Sequence, residues 1–287
     1  MKKKLLILFV LLLCLTGCDL FKEDFSDRYV YTTLYPVEYA TNMLYGDYGN
    51  VSSVYPNGAD SKFEVSEKKK TTYADAEIFV YSGLANEATL ARDLINKNTK
   101  LKIIDATRGI QNTSKIASIW LDPSNFLMLS SNIKSSLIEY TDNVYIKEGI
   151  EENYKELQEK ISELDVQLYD IGKSGNYDTI LVTNNVFNYL TKYNINVISL
   201  DSENTTIDKS YAEARKLIDS KKIQYVYILE GEELNANQEK LINDSSLVKI
   251  EINDIFSLTD EEREKEDNYL TIMNKIIEDY KKELYKK

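Results

Sequence analysis

The sequence predicts an α/β protein: two parallel-sheet lobes, each of (βα)4 type, joined by one long rigid helix. Three observations lead there. Short apolar or β-branched runs alternate with segments of helical periodicity, and they do so twice along the chain. Between the two series lies a long charge-rich stretch with apolar residues every three or four positions. Hydrophobic residues make up 43% of 287, enough for a substantial core. Alternation of strand and helix calls for right-handed crossovers and parallel strands covered on both faces.

In the first lobe, residues 29–34 read as a strand, 37–45 as a helix and 51–55 as a strand. The loop Pro56-Asn57-Gly58-Ala59-Asp60-Ser61-Lys62 follows, then a helix over 63–74. A strand over 77–81, a helix over 86–96 and a strand over 101–105 complete the series. Pro123 suits the first turn of a helix running to about residue 140. Residues 144–171 then form an amphipathic helix whose apolar stripe is Tyr154, Leu157, Ile161, Leu164 and Leu168. At 1.5 Å per residue it spans roughly 40 Å, more than one lobe needs. Gly172 and Gly175 end it. The second lobe repeats the alternation: strands over 179–183, 197–200, 224–229 and 247–252, and helices over 186–193, 209–220 and 235–242. A loop over 255–266 and a helix over 267–284 close the chain. The lobes are expected at 29–123 and 176–287, with the linking helical segment at 124–175.

The N-terminus carries three lysines, an apolar run over residues 5–15 and then Leu15-Thr16-Gly17-Cys18. This is the layout of an export signal over residues 1–17. The four residues resemble a bacterial lipobox, whose cysteine is lipidated and becomes the mature N-terminus. Residues 18–28 then form a lipidated tether, and Cys18 holds the chain on the outer face of the cytoplasmic membrane. Loss of the leader removes Cys14 and three lysines, which takes the net charge from −12 to −15. So acidic a chain lacks the basic face a nucleic-acid partner needs. There is no histidine and, beyond the lipidated Cys18, no cysteine, so no disulfide, no thiolate metal site and no imidazole base. No phosphate-cradling glycine loop or G-x-G-x-x-G is present, and the chain is read as no enzyme.

In open parallel sheets ligands bind beyond the carboxyl ends of the strands. The loops there resemble those of the zinc and manganese substrate-binding lipoproteins of ABC importers. Thr33-Leu34-Tyr35-Pro36 resembles that family's first strand end, and Val54-Tyr55-Pro56-Asn57-Gly58-Ala59-Asp60 its second-strand loop. Residues 74–83, Ala-Asp-Ala-Glu-Ile-Phe-Val-Tyr-Ser-Gly, resemble its third strand, and residues 104–110 its next turn. Ile119-Trp120-Leu121-Asp122-Pro123 is close to its most recognisable motif. Residues 267–273 resemble the start of its last helix.

The resemblance implies a solute receptor with an ABC permease and ATPase as partners. It also exposes a departure. The family binds its metal with three histidines and a carboxylate. At those positions stand Lys62, Ser118, Asn184 (or Asn185) and Asp267, and only Asp267 keeps the ligand type. Asp60, Asn185 and Trp120 are secondary candidates. Trp120 is expected to pack between the long helix and the first lobe.

Three accounts stay open. The Lys62 ammonium pairs with Asp267 and replaces the ion's charge. Alternatively Asp60, Ser118, Asn184 and Asp267 make an oxygen site for manganese or another hard divalent cation in preference to zinc. Or the cleft takes a different solute. Against each stands an ordinary role: Asn184 as a helix N-cap, Ser118 as a loop hydroxyl, Lys62 as a solvated charge, Asp267 as a cap of the last helix. The alternative to a receptor is a surface interaction or adhesion lipoprotein that keeps the fold without binding a solute.

Overall fold

The computed structural model describes residues 28–60, 62–83, 87–110 and 117–286. The export signal, Cys18 and most of the tether lie outside the described residues. Among those residues no helix is long and apolar enough to cross a membrane.

The first sheet contains β1 (Tyr29–Thr32), β2 (Asn50–Ser53), β3 (Ile78–Tyr81) and β4 (Lys102–Asp105), in the order β2-β1-β3-β4. The second contains β5 (Thr179–Val182), β6 (Asn196–Ser199), β7 (Tyr225–Leu229) and β8 (Val248–Ile252), in the order β6-β5-β7-β8. Every pairing is parallel, and Val30 lies beside Ile78 as Leu181 lies beside Val226. The two lobes are therefore the same topological unit built twice.

The helices of the first lobe are α1 (Tyr35–Tyr45), α2 (Glu67–Ala74) and α3 (Glu87–Lys97), followed by α4 (Ser118–Leu121) and α5 (Pro123–Tyr140). Helix α6 (Val144–Ser174) has 31 residues, about 46 Å at the α-helical rise. Asn143 caps it by accepting the Tyr145 and Ile146 N–H groups. The second lobe has a 3₁₀ segment (Asn185–Tyr193), α7 (Ile207–Asp219), α8 (Ala236–Ser245), α9 (Asp260–Glu264) and α10 (Tyr269–Leu284).

The boundaries differ from the sequence reading in instructive places. Helix α2 starts at Glu67 rather than 63, because Phe63 packs on Tyr55 and Val65 is buried from the loop that precedes it. The segment 185–193 is 3₁₀ rather than α. The loop over 255–266 contains α9, started by a capping box in which Thr259 and Glu262 bond each other's backbone. Helix α10 starts at Tyr269 with Asn268 as its cap, so Asp267 precedes the helix and does not cap it.

One apolar core runs through both lobes. The buried stripe of α6, from Ile146 to Ile171, joins Val30, Leu44 and Trp120 of the first lobe to Ile180, Tyr227 and Ile277 of the second. Two glycines let the lobes press close to α6. A Cβ on Gly149 would lie 1.7 Å from the Tyr48 hydroxyl, and one on Gly172 would lie 1.9 Å from the Tyr193 backbone carbonyl.

These sites predict different costs. Gly172→Ala collides with backbone, and we expect a loss of about 1–3 kcal/mol, the usual cost of overpacking. Gly149→Ala meets only the tip of a tyrosine that can rotate away. The gain in helix propensity, about 0.5–1 kcal/mol, offsets much of the clash. Chemical denaturation of the two variants should therefore separate them, with Gly172→Ala the less stable.

Candidate functional site

The strand order of each sheet reverses direction between its two central strands, β1 and β3 in one lobe and β5 and β7 in the other. That is where such sheets open a crevice at their carboxyl ends. Both crevices hold the chain's own carboxylate. In the first lobe Glu87, at the start of α3 and 2% exposed, accepts at Oε2 from three donors: the Ser82 N–H at 2.7 Å, the Ser82 hydroxyl at 2.5 Å and the Thr33 hydroxyl at 3.0 Å. In the second lobe Glu232 Oε2 accepts from the Thr183 hydroxyl at 2.8 Å and the Leu229 N–H at 2.9 Å. Thr33 and Thr183 each follow the first strand of their sheet, so the arrangement repeats with the fold. Each crevice thus has a carboxylate of its own, and the loops that face each other between the lobes form a mouth.

The mouth is built from four loops. After β8 the chain crosses to the first lobe. Phe256 accepts the Tyr35 N–H through its carbonyl at 3.0 Å, and Leu258 accepts the Gly58 N–H at 2.9 Å. The Ser257 hydroxyl donates to the Ala59 carbonyl at 2.8 Å. Phe256 also stacks on Tyr55, with ring centroids 6.4 Å apart. From α9, Arg263 reaches both Glu38 oxygens, at 3.2 and 2.8 Å, and Asn57 at 2.5 Å, and lies over the Tyr35 ring. Asp254, beside this crossing, has its carboxyl pushed above its ordinary range by burial, with Glu262 adding to the rise.

Trp120 is fully buried, and its indole N–H donates to the Asp254 carbonyl at 2.6 Å. Its own carbonyl accepts the Tyr269 hydroxyl at 2.5 Å. Its ring lies in the apolar core shared by α6 and the first lobe, and its two polar bonds tie α4 to the second lobe. The indole N–H, the ring's only polar hydrogen, is thus engaged within the protein.

The loops bearing the remaining candidates approach one another, since α4 packs on the 3₁₀ segment and on Tyr269, and residues 57–59 pair with 257–260. The bonds described for their side chains are local ones. Lys62 is exposed, and its backbone N–H donates to Asp60, which is also exposed. Asp267 accepts from the Thr271 hydroxyl at 3.2 Å. Among the described contacts no ion pair joins Lys62 to Asp267. Asp267 lines a cavity of about 290 Å³ on the second lobe with Glu230, Glu251, Asn253, Glu262 and Lys275. Asn184 is the N-cap of the 3₁₀ segment: its oxygen accepts the Val186 N–H at 3.0 Å and its amide donates to Glu232 at 3.3 Å. Asn185 accepts from Ser199 and Asn188 and gives its N–H to Asp201. Ser118 is half-buried at the first position of α4. Among the described residues no group of three or more Asp, Glu, His or Cys is placed to hold a metal ion.

Glu87, Glu232 and Arg263 were not singled out from the sequence. A threonine after the first strand of each lobe was a visible signal, but acidic residues are too common in this chain to point to its partner.

The family profile described as the periplasmic zinc-uptake complex component A matches residues 30–283. The chain belongs to that family. Its members are transport components, not enzymes. The zinc-binding lipoprotein AdcA of Streptococcus pneumoniae is 28% identical over 307 aligned residues, covering 96% of this chain and 60% of AdcA. The chain thus spans about 60% of the length of the curated relatives it matches. The zinc-bound ZnuA-like domain of the same AdcA superposes with a TM-score of 0.71 at 25% identity, covering 90% of this chain and 99% of that one. The metal-dependent lipoprotein YcdH of Bacillus subtilis shares the fold, with a TM-score of 0.73 at 21% identity and the same coverage. So does a manganese-bound periplasmic metal-binding protein of Candidatus Liberibacter asiaticus, with a TM-score of 0.70 at 16% identity, covering 90% of this chain and all of that one.

Glu87 also yields a pH prediction. Burial outweighs its three donors and pushes its carboxyl up to about 7, from 4.5. The folded state then holds the proton more tightly than the unfolded chain. The stabilising protonation is complete below about pH 4.5 and is lost as pH rises to about 7, at a cost of up to about 3 kcal/mol. Glu87→Gln stays neutral throughout. We expect its urea midpoint, measured relative to the parent chain, to rise between pH 4.5 and 7.5 and then to level off.

Proposed function

We propose that this chain is the membrane-anchored solute receptor of an ABC importer, delivering its ligand to a permease powered by an ATPase. Its site between the lobes does without the histidine ligands that the family resemblance implies. One observation carries the second half of this reading: a chain with the family's fold over residues 30–283 has no histidine anywhere. Zinc sites are built from imidazole and thiolate, and neither is available here.

Lys62, Ser118, Asn184 and Asp267 occupy the four ligand positions, with Asp60 and Asn185 beside them. Of these, Asn184 has both ends of its amide engaged within the second lobe. Any ion taken here meets oxygen donors, which suit manganese or another hard cation better than zinc. The acyl chains on Cys18 hold the receptor at the outer face of the cytoplasmic membrane. The functional division places the lobes at 29–123 and 176–287, with 124–175 bracing them.

A second reading has its own support. Residues 256–263 already bond across the mouth, which suits an interaction or adhesion lipoprotein that retains the fold without a solute.

Calorimetric titration of the mature chain with Zn²⁺, Mn²⁺ and Ca²⁺ tests the proposal. We expect no zinc binding tighter than about 10 μM, roughly −7 kcal/mol. Any manganese or calcium heat should weaken at least tenfold in Asp267→Asn. Tight zinc binding would overturn the reading, and silence towards all three ions would favour an organic solute or the interaction protein.

A further inference from the structure

We propose that residues 256–263 form a latch across the mouth, hinged at Ile255 and Glu266 and clamped at both ends by Trp120. Its release bares the first lobe's wall of the cleft. The purpose of such a latch rests on the receptor reading above, but the latch itself is measured without any solute.

The clamp is seen at both ends of the segment. Trp120 donates to Asp254 just before it and accepts from Tyr269 just after it. Trp120 and Tyr269 are both fully buried. The middle is held differently. Arg263, Asn57, Glu38 and Asp260 make their contacts at the protein's edge, where water and salt compete. Two backbone bonds, from Tyr35 and Gly58, lie beneath them. Phe256 and the buried Leu258 keep the closed state dominant.

The hinges are marked by backbone geometry. Ile255 has φ +57° and Glu266 φ +59°. A β-branched residue in the left-handed region is an outlier that persists only where its surroundings impose it. Ile255 is fully buried, which supplies that constraint. Between the hinges, α9 carries its own capping box, so its internal bonds do not depend on the first lobe. A short unit between two residues in the left-handed region can swing as a body, kept on the second lobe by the Asn253 amide and the Asp267 N–H, both donating to Glu262. When it lifts, the buried Tyr35 and the half-buried Tyr55 and Ala59 gain access to solvent.

The test is amide hydrogen exchange on the whole chain, without added metal or solute. In the combined variant Arg263→Gln with Asn57→Ala, we expect the Tyr35 and Gly58 amides to exchange at least tenfold faster. Amides of the β5–β7 ladder should keep their rates, and the emission maximum of Trp120, the chain's only tryptophan, should not move. Raising sodium chloride to about 0.5 M should shift the parent chain the same way. Unchanged rates at Tyr35 and Gly58 would overturn the latch. So would acceleration shared by the sheet amides, or a red-shifted Trp120, since either means general loosening or a lost clamp. A blank metal titration leaves this result standing, and a failed latch leaves the receptor reading standing.

Discussion

Both ends of one loop are tied to a single buried residue. Trp120 must find an acceptor for its indole N–H once its ring is out of water, because an unpaired polar group in the core is costly. The acceptor is the Asp254 carbonyl, and the tryptophan's own carbonyl is satisfied by Tyr269. Much of the contact between the lobes follows from this. Phe126 stacks on Tyr269 at 4.0 Å between centroids, Tyr39 packs on the same ring, and Lys192 of the second lobe bonds Asp122 at the start of α5. The exit of β8 and the start of α10 are thereby set against α4.

The position of the site is decided by what fills the alternatives. Each sheet has its own crevice, and each crevice is occupied by a carboxylate bonded to the threonine after the first strand. Glu87 is the more extreme of the two: buried, close to Asp105 and titrating near neutral pH. Between the lobes, backbone groups of residues 256–258 already pair with the first lobe. A 31-residue helix holds the two halves at a set distance, and glycines at both ends allow close docking.

Membership of a zinc-uptake family and the absence of imidazole are both properties of this chain, and together they shape its chemistry. The fold sets residues 57–59 against 257–260 and α4 against the 3₁₀ segment. The side chains on those loops are then used for local structure: a cap at Asn184, a turn at Asp60, a hydroxyl contact at Asp267.

Local pattern was enough for the architecture. Apolar runs such as Ile78-Phe79-Val80-Tyr81 and the stripe from Ile146 to Ile171 must be buried whatever their neighbours, so two parallel sheets and a long helix could be read directly. The missing histidines could likewise be read, because composition does not depend on folding. The destination of the long-range bonds could not. That Trp120 would reach residue 254, that Glu87 rather than another acid would enter a crevice, and that Arg263 would cross to Glu38 depend on contacts far apart in the chain. In a chain with 47 acidic residues, sequence alone does not rank one carboxylate above another. Only the packed fold, by excluding water from some of them, gives each its partner.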